Sequence, residues 1–168
     1  VDVTPSFLIV RLGSLGDLIH TLPAVAALRR AHPEARIDWL VEAPHRQLLT
    51  LVPIISNIVV LRDRSLGAWM QARRQLHGRQ YDVALDFQGL IKSAALARLS
   101  GARSVIGFDR AALREPAARL FYTRTAQVGE GRHVIAKNLA LVSAVLDRAE
   151  TMHESWDGRA AADFPMRD

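Results

Sequence analysis

The sequence predicts an α/β fold: a parallel sheet covered by helices on both faces. Three observations predict it. Short apolar runs recur along the chain in the pattern of strands buried on two sides. Each run gives way to a turn and then to helical periodicity, which is the signature of βαβ units and hence of parallel strands. With 168 residues, 49% of them apolar, the chain has material for one packed core and one domain.

The elements follow in order. Phe7-Leu8-Ile9-Val10 is the first strand, and Gly13 and Gly16 mark the turn after it. Over 17–31 the pattern is helical, with Leu18, Leu22, Val25 and Leu28 on one stripe and Pro23 inside it, where it should kink the helix or remove one backbone bond. Ile37-Asp38-Trp39-Leu40-Val41 is the second strand. A short helix is expected over 44–51, a third strand over 57–61 and an arginine-rich helix over 66–77. Tyr81-Asp82-Val83-Ala84-Leu85-Asp86-Phe87 is the fourth strand, followed by a helix over 90–99 and a fifth strand over 104–108. A short helix over 114–121 and a long one over 132–148 complete the series. Residues 1–150 are read as the folded domain. Residues 151–168 mix Met, His, Trp, Gly, Pro and charges without a period, so a linker or tail is expected there.

Composition narrows the chemistry. Lys plus Arg number 22 and Asp plus Glu 17, a net charge of +5 that is nearly all arginine, since Lys92 and Lys137 are the only lysines. Arginine grips carboxylate or phosphate with two parallel hydrogen bonds, so the balance suits an anionic partner. With no cysteine, disulfides, thiolate metal sites and cysteine nucleophiles are excluded. No apolar run approaches the roughly 18–20 residues that span a bilayer, and the first residues carry no basic leader pattern, so a cytoplasmic location is expected, with peripheral membrane contact left open. Nucleic-acid binding is disfavoured: Arg29, Arg30, Arg73 and Arg74 fall at intervals expected of solvated helix faces, and no aromatic platform interleaves with them.

Ligands of open α/β sheets bind at the carboxyl ends of the strands. Three segments there are more polar than packing requires. Gly13-Ser14-Leu15-Gly16-Asp17 lacks the spacing of a dinucleotide fingerprint or a P-loop. Asp17 carries two readings, a helix cap satisfying backbone donors or a general base at the mouth of the sheet, and His20 one turn on could face the same ligand. Asp86-Phe87-Gln88-Gly89-Leu90-Ile91-Lys92-Ser93 puts donors and acceptors on the same edge, or else Gly89 makes only a turn and Lys92 is only solvated. The third segment runs from Gly107 through Arg110 and Arg114-Glu115-Pro116 to Tyr122, and with Arg62 and Arg64 it would form a basic rim.

The run Arg11-Leu12-Gly13-Ser14-Leu15-Gly16-Asp17-Leu18-Ile19-His20-Thr21-Leu22-Pro23-Ala24 resembles the opening of the bacterial lipopolysaccharide heptosyltransferases, glycosyltransferase family 9. Asp38-Trp39-Leu40-Val41-Glu42, then residues 81–94, then Arg114-Glu115-Pro116 with Leu120-Phe121-Tyr122 resemble the same family in the same order. The resemblance implies a Rossmann-like doubly wound sheet forming the N-terminal, acceptor-binding lobe of a two-lobe GT-B architecture. It implies an inverting transfer of heptose from ADP-heptose to a Kdo sugar of lipid A, at the cytoplasmic face of the inner membrane, without metal or cofactor. Asp17 is then expected as general base, Ser14 and Gly16 as shaping its loop, Gln88 as lining the cleft, and Arg62, Arg64, Lys92 and Arg114 as lying near acidic acceptor groups. The family's nucleotide-binding half has no counterpart in this sequence, so the chain alone is expected to be inactive. The competing reading is a non-catalytic α/β module binding an anion or a protein on the same edge.

Overall fold

The computed structural model describes residues 4–129 and 133–146. Six strands form one wholly parallel sheet: β1 (Ser6–Val10), β2 (Arg36–Glu42), β3 (Asn57–Leu61), β4 (Val83–Asp86), β5 (Ser104–Phe108) and β6 (Arg124–Ala126). Their order across the sheet is β3-β2-β1-β4-β5-β6. This is the doubly wound Rossmann arrangement, in which successive crossovers run outward from the centre in both directions. Five helices connect and cover the strands: α1 (Leu15–Ala31), α2 (Arg46–Thr50), α3 (Leu66–His77), α4 (Ile91–Leu99) and α5 (Val134–Leu146). Right-handed crossovers place α1 on one face, where α5 packs beside it, and α3 and α4 together on the other.

The centre of the sheet explains the apolar runs. All five residues of β1 are buried, and Leu8, Ile9 and Val10 are wholly so, because helices cover the strand on both sides. Trp39 on β2 is also fully buried, and its indole N–H donates to the carbonyl of Arg11 at 3.0 Å. The polar exception in β2 is Asp38. Its carboxylate takes hydrogen bonds from Tyr81 (2.8 Å), Arg79 (3.0 Å) and Asn57 (3.0 Å), which together hold a wholly buried charge.

Several boundaries depart from expectation, each for a local reason. Helix α1 starts at Leu15, two residues before the expected residue 17, because Ser14 is extended and serves as N-cap. It continues through Pro23, which removes only the bond to the carbonyl of Ile19. Strand β4 ends at Asp86, and its expected first residues are bound differently: the Ser6 N–H and hydroxyl both donate to the Asp82 carboxylate at 2.9 Å. The short helix expected over 44–51 divides into a 3-10 turn, Ala43–His45, and α2. The helix expected over 114–121 is a 3-10 turn from Pro116 to Phe121, since Glu115 before the proline is held extended. Strand β6 has no apolar run to announce it. Its three residues are paired by the open edge of β5, Ile106 to Arg124 through Phe108 to Ala126. Arg29, expected on a solvated face, instead donates to the carbonyls of Pro33, Ala35 and Ile54 at 2.7–2.9 Å and ties the end of α1 to the loop before β3. The expected linker over 151–168 lies outside the described residues.

Candidate functional site

The strand order reverses between β1 and β4, so the chain leaves these neighbours in opposite directions and a crevice opens beyond their carboxyl ends. An open cleft of about 610 Å³ lies there, lined by the turn after β1, by Glu42 and His45 after β2, and by Gln88, Lys92 and Arg114. Each wall follows from a local feature. Gly13 has no room for a side chain, since a Cβ would come within 2.9 Å of the His45 ring. Gly89 sits at φ +70°, a conformation that favours glycine, and turns the chain from β4 into α4. Gln88 joins the two central loops: its Oε1 accepts from the Leu12 N–H at 2.8 Å.

Beneath Gln88 lies Asp86, wholly buried at the end of β4. Oδ1 accepts from the backbone N–H groups of Gln88 (2.9 Å) and Gly89 (3.4 Å), and Oδ2 from the hydroxyls of Ser93 (2.9 Å) and Tyr122 (2.6 Å). Burial raises the Asp86 pKa, and the four donors pull against that rise without cancelling it. Burial and the neighbouring Asp86 push the Tyr122 hydroxyl up as well. The ring of Tyr122 fills the space where Gly107 lacks a side chain, since a Cβ there would fall 2.2 Å from it. Asp86 therefore supports the cleft floor from below.

Asp17 sits at the cleft mouth in the first turn of α1, its side chain 24% exposed. The cap reading of this residue finds its contacts. Its Oδ2 accepts from the Ser14 N–H and hydroxyl, each at 3.2 Å, as a cap would. The same oxygen meets the Arg11 guanidinium at 2.7 Å. Burial pushes the Asp17 carboxyl up, but Arg11 and the Ser14 donors outweigh it and hold the pKa below the usual carboxylate value. The group is therefore an ionised carboxylate at neutral pH with one face toward the cleft.

The predicted cations divide. Arg64, Lys92 and Arg114 line the cleft, whereas Arg62 and Arg110 are exposed but do not. Lys92 bonds Glu42 at 2.5 Å, and Arg64 lies 4.0 Å from the same carboxylate. Arg114 is exposed and has no ion pair or hydrogen bond to the described residues, so it is the cation most open to an anionic ligand. Gly16 stands in open space and does not line the cleft. His20 faces away: its ring packs edge-on against His133 at 6.0 Å between centroids. Sequence reasoning missed Glu42, His45 and Glu115 as cleft residues. Glu42 was legible as the polar end of β2. Glu115 caps α4 across 24 residues of sequence, accepting from the Ile91 N–H at 2.6 Å, and no local signal marks that contact. Among the described residues, no group of three or more His, Cys, Asp or Glu could hold a metal ion.

Residues 69–164 match the family described as glycosyltransferase family 9 (heptosyltransferase). The chain belongs to this family. It is 35% identical over 150 residues to lipopolysaccharide heptosyltransferase 1 of Pseudomonas aeruginosa, covering 83% of this chain and 42% of that protein. The counterpart of the same name in Escherichia coli K12 is 33% identical over 149 residues, covering 83% of this chain and 47% of that protein. In three dimensions the chain is similar to E. coli heptosyltransferase WaaC solved with ADP, at a TM-score of 0.77 and 32% identity, covering 84% of this chain and 47% of that one. This family 9 chain thus spans less than half the length of the relatives it matches. Its structural neighbours have the GT-B architecture, and its sheet is the Rossmann-like kind expected of one GT-B lobe.

Proposed function

We propose that this chain is the acceptor-binding lobe of an inverting heptosyltransferase and supplies its general base. In this reading a hydroxyl of the Kdo sugar of lipid A attacks the anomeric carbon of ADP-heptose from the face opposite ADP. The new C–O bond forms as the bond to the ADP phosphate breaks, ADP departs with the electron pair, and Asp17 takes the hydroxyl proton. Ser14 steadies the Asp17 carboxylate, Gln88 shapes the cleft floor, and Lys92, Arg64 and Arg114 face the acidic groups of the acceptor. Arg62 and Gly16 act from outside the cleft lining, Arg62 in the loop that carries Arg64 and Gly16 beside Asp17 in the first turn of α1.

The observation that carries the reading is an ionised carboxylate at the topological switch point, bordered by cations and open to the cleft. The family's sugar chemistry gives that carboxylate a substrate. ADP-heptose is placed mainly by a second, donor-binding lobe, and neither metal nor cofactor enters the reaction. The acceptor is a lipid, so the lobe is proposed to work at the cytoplasmic membrane surface. No helix among the described residues is long and apolar enough to cross a membrane. A non-catalytic module is not favoured, because the family relatives are transferases.

The test joins this chain to a donor-binding lobe of a family 9 relative and follows transfer from ADP-heptose to Kdo-lipid A. Asp17→Asn should lower kcat by about 10²–10⁴-fold with the circular dichroism spectrum unchanged. Transfer at the parent rate by that variant would remove Asp17 from the chemistry.

A further inference from the structure

Arg11 is a charged residue in the wrong place for a solvated one. It follows the fully buried strand β1 directly, and only 5% of it is exposed. Its Nη2 meets Oδ2 of Asp17 at 2.7 Å, its Nη1 donates to the carbonyl of Phe87, and its buried Nε has no hydrogen-bond partner. Arg11 is fixed from its backbone too: its carbonyl accepts the Trp39 indole N–H, and its own N–H donates to Leu40 at 3.3 Å. The guanidinium therefore spans the switch point, holding the loop after β4 with one nitrogen and Asp17 with another.

A buried cation needs a counter-charge. Its surroundings otherwise oppose it: Arg114 and Lys137 lie near enough to repel it, and Asp86 attracts it only weakly from behind. Across the cleft Glu42 is occupied by Lys92, and Glu115 by the Ile91 N–H. Among the described residues, Asp17 is the one carboxylate in direct contact with Arg11. All its hydrogen-bond and ion-pair contacts converge on Oδ2: Arg11 Nη2, the Ser14 N–H and the Ser14 hydroxyl. Oδ1 has none among the described residues.

We propose that Arg11 is the positioning residue of the site: it locks Oδ2 of Asp17 and so leaves Oδ1 as the oxygen that receives the acceptor proton. The assignment of Oδ1 rests on Asp17 being the base, whereas the brace does not. Arg11 itself does not line the cleft. A lysine at this place could keep the charge but could not reach both Asp17 and the Phe87 carbonyl.

Carboxyl ¹³C NMR on this chain tests the brace directly. In the parent, Asp17 should stay ionised to the lowest pH at which the chain is folded. Arg11→Met should raise its titration midpoint by about one pH unit or more, and Arg11→Lys should hold it nearer the parent value. In the two-lobe transfer assay, Arg11→Lys should lower kcat while leaving the KM for acceptor unchanged, because a displaced base slows proton transfer without altering acceptor contacts. If Arg11→Met does not fold, the lysine variant and its kcat-to-KM split decide alone. An Asp17 midpoint that ignores Arg11→Met, or an Arg11→Lys enzyme with parental kcat, overturns the proposal. If the midpoint responds but Asp17→Asn still transfers, the brace stands, and both the base and the Oδ1 assignment fall.

Discussion

Asp17 is at once part of a helix cap and part of the cleft wall. It caps α1 through Ser14 and borders the cleft through the same carboxylate. Its pKa sets a pH dependence with a definite sign. The folded value lies below the unfolded value of about 3.9, so the folded state binds fewer protons in that range. The stabilisation is complete above the unfolded value and is lost as pH falls through the folded one. If Asp17 is the base, as proposed, the acid limb of kcat/KM in the two-lobe assay should lie below about pH 4, since its carboxylate stays ionised above it. A rate profile from pH 4.5 to 7 checks this, and a limb with a midpoint near 6.5 would point to histidine instead.

Among the elements, α1 and α5 form the pair that seals one face of the sheet. A buried asparagine joins them. Asn138 on α5 is 1% exposed, and its amide donates to the carbonyl of His20 at 2.9 Å and lies 3.4 Å from the Thr21 hydroxyl on α1. Asn138→Ala should cost about 0.5–1.5 kcal/mol, because it removes the hydrogen bond by which α5 holds α1. Urea denaturation should then show a lower midpoint at an unchanged slope. The elements also show where local sequence was readable. Strands β3 and β5 and helix α3 begin and end where expected; apolar runs mark the strands, and in the structure the Ser65 side chain caps the helix by accepting from the Ala68 N–H. Strand β6 was missed because Arg124, Thr125 and Ala126 have no strand signature. Their partner, the edge of β5, is 18 residues earlier in the chain.

At the scale of the whole molecule, the net charge of +5 acquires a direction. Part of the arginine excess is structural: Arg29 holds loop carbonyls, Arg79 holds Asp38, and Arg11 holds Asp17. Arg114 is left facing the cleft without an ion pair to the described residues. Under the proposed function, binding of Kdo-lipid A should weaken as salt rises, and Arg114→Ala should weaken it by about 1.5–3 kcal/mol. Titration calorimetry in mixed micelles at two ionic strengths measures both effects. A variant that binds like the parent would move acceptor recognition elsewhere on the lobe.

By itself the sequence determined the alternation of strands and helices, the parallel sheet and the turns that end its strands. Apolar periodicity and turn chemistry are local properties, and both are written in consecutive residues. It also marked Asp17, Gln88, Lys92 and Arg114 through ordered motifs. Only the tertiary structure decided which of the marked groups share a cleft. The strand order brings residues 11–17 beside 86–92 and sets Arg64 at the rim while leaving Arg62 outside it. It also decided the partner of Arg11. The Phe87 carbonyl lies 76 residues away in sequence, and the contact exists because β1 and β4 are neighbours at the point where the sheet reverses.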